Sequence, residues 1–269
     1  MKRFLFSVDL EEFYTTDGYS DTSSTPIDSL VDLYLEFLER VGGQCTFFVV
    51  GEVARKFPEL LLKIDGAGHE LACHGDKHTP IDQLTPKSFY QDLLSNQNAV
   101  SDVIQKRPIG FRAPLMSVTK ETDWVYEVLN SLEFAYSSSV IPTSTPLYGW
   151  PGFGKSAQRV GGVLEIPATL KSFAGKNVPF SCGTYFRLLP WMVLKPWYLE
   201  SETVVGYFHP YDIDVKQRWT YQKELAGRPI MNHLLFINRK SLMAKLNQVI
   251  AMGYSIRTYS EFAAQYQSE

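Results

Sequence analysis

Two imidazoles four residues apart, in His74-Gly75-Asp76-Lys77-His78, and two carboxylates two apart, Asp9 and Glu11, have the types and spacing for chemistry at a metal ion. Histidines at i and i+4 face the same way in one helical or turn-like register, so both can reach one cation. Asp9 and Glu11 close an apolar run, Phe4 to Val8, that reads as a β-strand. Period-two alternation then sends both carboxylates to one face. Two histidines and a carboxylate make a catalytic zinc-type ligand set, with a second carboxylate left over as a base. A histidine pair alone is more often an ordinary loop or core feature, so the weight falls on what accompanies it.

The elements that must position these groups alternate between strand-like and helix-like apolar patterns, which predicts an α/β fold with parallel strands. Strands are expected at 4–9, 44–50, 69–73, 109–112, 134–138, 163–167, 203–209 and 254–258. Ile27, Leu30, Val31, Tyr34, Phe37, Leu38 and Val41 recur at helical spacing, and Gly42-Gly43 stops that helix. A helix over 51–67 carries Pro58 early. Thr85-Pro86 opens another, running to about residue 104. Thr119 caps a helix with Trp124, Val125, Val128, Leu129 and Leu132 on one face. A helix over 240–252 and a final short one capped by Ser260 complete the pattern, with loops at 15–28 and 142–162. About eight strands with intervening helices predict a single-domain irregular (β/α) barrel of seven to eight strands over residues 1–269, its chemistry at the carboxyl ends of the strands. Asp9, Glu11, His74, His78, Arg112 and His209 all fall at such ends, and that coincidence is the main argument for one shared site.

Bulk properties narrow the partners. A net charge of -3 and a pI near 6.0 give no electrostatic footprint for nucleic acid or an anionic membrane surface. No apolar run approaches the roughly 18 residues of a membrane span. The charged start Met1-Lys2-Arg3 precedes an apolar stretch too short for a signal peptide, with acidic residues at once behind it. Cys45, Cys73 and Cys182 are odd in number and set in apolar contexts, which reads as buried thiols in a reducing compartment. A cytoplasmic protein is expected.

Taken in order, the motifs resemble the polysaccharide deacetylase family with the NodB homology domain, a branch of the carbohydrate esterases. The resemblance runs from Phe4 to Tyr259. It rests on Ser7-Val8-Asp9-Leu10-Glu11-Glu12-Phe13, the His-x-x-x-His of 74–78, the Arg-x-Pro turn Phe111-Arg112-Ala113-Pro114, and Gly206-Tyr207-Phe208-His209-Pro210. Thr46-Phe47-Phe48-Val49, Ala67-Gly68-His69-Glu70 and 183–190 are similar to a subgroup associated with exopolysaccharide and O-antigen biosynthesis. Two departures stand out. The family's adjacent Asp-Asp is here Asp9-Leu10-Glu11, so the metal carboxylate moves one residue on, to Glu11 or Glu12. The Asp- and Trp-bearing fourth motif has no plain counterpart, and Glu165 in Leu164-Glu165-Ile166-Pro167 is the best substitute.

The resemblance implies a metal-dependent N-deacetylase acting on an amino-sugar glycan or its precursor, with a divalent ion, zinc by preference, on Glu11, His74 and His78. Asp9 is then the general base, Arg112 holds it ionised through a bidentate contact, and His209 donates a proton to the leaving amine. An oxyanion-binding backbone N–H is expected between 179 and 185. Tyr14, Trp150, Tyr185, Phe186 and Trp191 are candidate sugar-stacking walls, although aromatics in a core of this size more often pack. His69 and His233 lack motif partners and are assigned structural roles. Asp212 and Asp214 either tune His209 or serve a turn. The competing readings are a hydrolase of a small non-sugar amide, suited to a closed pocket, and a catalytically degenerate carbohydrate-binding member.

Overall fold

A computed structural model of the chain describes residues 2–13 and 25–266; Tyr14 and residues 15–24 of the loop expected over 15–28 lie outside the described residues. The central strand β1 (Lys2–Leu10) is buried on both faces from Phe4 onward. Its even residues Phe4, Phe6, Val8 and Leu10 join the large cluster beneath the helices. Leu5, Ser7 and Asp9 alternate to the other side, where Leu5 packs with Phe48, Ala72, Tyr136, Leu164, Val205 and Tyr259. Those residues come from strands at opposite ends of the sheet, so the sheet curls around them into a half-barrel.

The other strands are β2 (Thr46–Val49), β3 (Glu70–Cys73), β4 (Gly110–Phe111), β5 (Tyr136–Ser137), β6 (Gln158–Val160), β7 (Val163–Glu165), β10 (Thr203–Phe208) and β11 (Tyr254–Arg257). Their order is β10-β1-β2-β3-β4-β5-β7-β6, with β11 also beside β1. All pairings are parallel except β6 with β7. Double burial on parallel strands explains why they read as near-continuous apolar runs. A separate hairpin pairs β8 (Lys171–Phe173) with β9 (Lys176–Val178).

The outer layer holds α1 (Ile27–Val41), α2 (Gly51–Lys56), α3 (Pro58–Gly66), α4 (Pro86–Ile104), α5 (Val125–Ser131), α6 (Gly183–Leu188), α7 (Trp191–Glu200), α8 (Pro229–Leu234), α9 (Leu242–Ala251) and α10 (Tyr259–Tyr266). Gly42 ends α1 in the left-handed conformation, at φ 63°. The helix expected over 51–67 is two helices. Proline disfavours the helical region for the residue before it, Phe57 takes φ -129° and ψ 56°, and the chain restarts with Pro58. Thr85 caps α4 with a reciprocal bond to Ser88. Thr119 caps only a 3₁₀ turn, Lys120–Thr122, ahead of α5. The last cap is Thr258 rather than Ser260: its Oγ1 accepts from Glu261 N, and Glu261 Oε2 accepts from Thr258 N. The stretch from 168 to 202, which carries no clear periodicity, holds the β8–β9 hairpin, α6 and α7.

Candidate metal centre and catalytic site

The carboxyl end of β1 delivers Asp9, and a tight turn in which Glu11 N bonds Asp9 O keeps the next carboxylate on the same side. The turn after β3 delivers the histidines, but not in a helical register. Gly75 and His78 both sit at positive φ, 76° and 54°, and this left-handed geometry folds His78 back toward His74. Asp76 fastens the turn through Arg55, 2.8 Å away, and through its own N–H to Asp92 Oδ2 at 2.8 Å. Gly51 lies against it so closely that a Cβ there would come within 2.1 Å of Asp76 Oδ1. From α4, Asn96 accepts from His74 N and donates to Val49 O, locking β2 and β3 beneath the site.

One ligand atom each from Glu11, His74 and His78 lies within 4.8 Å of the others. His74 Nδ1 donates to the Arg112 carbonyl at 2.9 Å, which leaves its Nε2 lone pair facing Glu11 Oε2 at 3.7 Å. His78 Nε2 approaches the same oxygen to 2.5 Å. Glu11 Oε2 is buried with no partner besides these two imidazoles, while Oε1 accepts from Tyr211 OH at 3.1 Å. A buried carboxylate oxygen set between two imidazole nitrogens is the donor set a divalent cation satisfies. Burial pushes the Glu11 carboxyl upward, but His78, His74 and His209 outweigh it and hold the group well below the usual carboxylate range.

Arg112, fully buried, occupies the next strand end. Its five donors go to Asp9 Oδ1 and Ser7 Oγ (2.6 and 2.7 Å), Ser138 O and Oγ (2.9 and 3.1 Å) and Tyr259 OH (2.9 Å). The contact to Asp9 is one-pronged, not the expected bidentate fork, because the rest of the guanidinium ties β1 to two further elements above Phe48. Burial works against the charge, yet Asp9 and Tyr259 hold it protonated. Asp9 Oδ2 is left facing the imidazoles of His74 and His209, each at 3.9 Å. His209 follows β10, stacks on Tyr211 at 4.6 Å, and bonds Asp212 Oδ2 through Nδ1 at 3.1 Å. Asp212 in turn pairs with buried Arg187 at 2.9 Å. Burial lowers the His209 pKa, but Asp212, Glu11 and Asp9 outweigh it and leave the pKa raised.

With this geometry in view, comparison with known proteins separates the chain into two matched segments. Residues 17–136 match the family described as polysaccharide deacetylase. Over residues 17–136 the chain is similar to the polysaccharide deacetylases. Residues 138–261 match a domain of unknown function, DUF3473, and the curled sheet draws strands from both segments. A peptidoglycan deacetylase-like protein FGM2 of Gibberella zeae is 32% identical over 154 residues, 50% of this chain and 44% of that protein. A peptidoglycan deacetylase of Helicobacter pylori is 27% identical over 196 residues, 71% of this chain and 63% of that one. The chain thus spans less than two thirds of either relative. In fold it is similar to BA3943, a CE4 family pseudoenzyme from Bacillus anthracis, at a TM-score of 0.56 and 11% identity over 97% of this chain and 65% of the other.

Asp9, Glu11, His74, His78, Arg112 and His209 converge, whereas Glu12 turns outward onto Lys56 at 2.7 Å. Glu165 is not at the site. Its carboxylate accepts from Ser139 N, Val140 N and Tyr126 OH, supporting the loop that presents Ser138 to Arg112. The carboxylate beside His209 is Asp212, while Asp214 serves the turn by accepting from Lys216 N and Thr25. Among the proposed aromatic walls, Tyr185 lines the cavity. Phe186 is buried against Phe208, Trp191 stacks on Tyr198, and Trp150 packs on Phe153. Tyr207 and Tyr211 line it instead; both flank His209 in sequence, the one signal that could have found them. Cys182, Gly183 and Thr184 also line it, within the segment expected to bind an oxyanion. His69, buried against Phe47, accepts from Cys45 N, and His233 lies exposed on α8.

Proposed function

We propose that the chain is a metal-dependent hydrolase that removes an N-acyl group, acetyl in the simplest case, from an amino sugar of a surface polysaccharide or its precursor. The observation that carries this reading is the buried Glu11 oxygen set between His74 and His78, with Asp9 anchored beside it. Glu11, His74 and His78 would hold the ion, zinc by donor type. When bound there, it supplies a polarised acyl carbonyl and a water of lowered pKa. The chain's own groups do the rest. Asp9, with Oδ1 committed to Arg112, keeps Oδ2 free to take the water's proton. His209, its pKa raised beside Asp212, donates from Nε2 to the departing amine, a poor leaving group unless protonated. Arg187 fixes Asp212 and so the orientation of the ring. The carbohydrate substrate is supported by the domain match and the named activities of the relatives.

The test is acetate release from a panel of N-acetylated sugars, with and without chelator, alongside metal analysis of protein purified without added zinc. His74→Ala should abolish both bound metal and acetate release. Retention of glycan binding without any release by the wild type would turn the reading to a carbohydrate-binding member. Cys45, Cys73 and Cys182 are free and buried, which supports a cytoplasmic location and hence a lipid-linked or nucleotide-linked precursor; cell fractionation checks it.

A further inference from the structure

The cavity over the metal cluster is walled in an unusual way for a sugar site. It has a volume of about 270 Å³ and is lined by Asp9, Glu11, His74 and His78. The same lining is rich in aliphatic side chains, Leu147, Leu188, Leu225, Met231, Leu234 and Leu235, brought from α6, α8 and the loops around them. Three hydroxyls of the lining are already engaged. Thr145 Oγ1 donates to Tyr148 O, Thr184 Oγ1 accepts from Arg187, and Tyr211 OH donates to Glu11. A sugar ring pressed against the leucines would leave its own hydroxyls unpaired, whereas an alkyl chain gains with every methylene it buries.

We propose that the scissile amide carries an acyl chain longer than acetyl, and that this aliphatic cavity houses it. The inference rests on the hydrolase reading and deepens it. The acyl chain is favoured over an alkyl aglycone because the cavity is lined by the cluster, where the amide carbonyl must sit. The acyl substituent is one bond from that carbon, and an aglycone is a whole sugar ring away. Hydrolysis breaks the C–N bond, places the water oxygen on the acyl carbon to give a fatty carboxylate, and returns two protons to the amine as the sugar ammonium, with no further reactant.

The experiment compares N-acetyl-, N-butanoyl-, N-hexanoyl- and N-octanoylglucosamine by released glucosamine, beside octyl glycosides of N-acetylglucosamine. A rise in kcat/KM of about fourfold per added methylene, until the cavity is filled, is expected. Met231→Gln and Leu234→Gln should each lower the octanoyl rate about tenfold and leave the acetyl rate within about twofold. Preference for acetyl, or a gain seen only with the octyl glycoside, overturns the inference and leaves the hydrolase standing. If no substrate is cleaved, the hydrolase reading fails, and binding of acetohydroxamate against octanohydroxamate to zinc-loaded protein still decides the cavity. Tighter octanohydroxamate binding, weakened by both variants, upholds an acyl-chain site, and equal affinities overturn it.

Discussion

Arg112 shows how much one buried side chain can be asked to do. It orients Asp9, carries the carbonyl that sets the His74 tautomer, and joins β1, the loop after β5 and α10. Arg112→Met would leave Asp9 buried without its counter-charge, and a loss of about 3–5 kcal/mol is expected in urea unfolding. The two adjacent glutamates should separate cleanly. Glu11→Gln is expected to lose bound metal and all acetate release. Glu12→Gln, which weakens a pair with Lys56, should keep both and shift stability by less than about 1 kcal/mol. Equal metal content in the two variants would refute the ligand assignment.

At the scale of elements, the site depends on close backbone approaches that no side-chain pattern announces. Gly183 opens α6 so near the turn after β10 that a Cβ would stand 2.1 Å from Asp212 Oδ2. Gly183→Ala should displace Asp212 and with it the His209 ring, cost about 1–3 kcal/mol, and lower kcat. Steady-state kinetics beside thermal unfolding checks both parts. Legibility also varied by element. Strands such as β1 and β10 were plain because double burial leaves an unbroken apolar run. The cap at Thr85 was plain because Thr-Pro is locally sufficient. The split at Phe57 and the short α6 and α8 were not, since helices of six residues owe their existence to what they pack against.

Over the whole molecule, the Arg187–Asp212 pair couples the C-terminal half to the site. Arg187 also donates to Ile237 O, and Lys245 caps the carbonyls of Phe186, Arg187 and Leu189. Burial alone would raise the Asp212 carboxyl, but Arg187 and His209 bring it down to about 2. A carboxylate depressed in the folded state contributes stability that is fully present above its unfolded pKa near 3.9 and is lost as pH falls toward 2. Asp212→Asn should therefore remove about 2 kcal/mol at pH 6 and progressively less between pH 4 and pH 2. Chemical denaturation of both proteins across that range checks it, and a difference that persists unchanged at pH 2 contradicts the assignment.

The sequence by itself determined the chemistry-bearing types and their places at strand ends, because alternation and apolar runs are local properties of the chain. It also carried Asp9, His74, His78 and His209 as one ordered set. Tertiary structure alone decided which glutamate faces the histidines, which carboxylate orients His209, and that the cavity wall is aliphatic. Those outcomes follow from left-handed turns at Gly75 and His78 and from contacts between residues far apart in the chain, where spacing carries no information and only packing does.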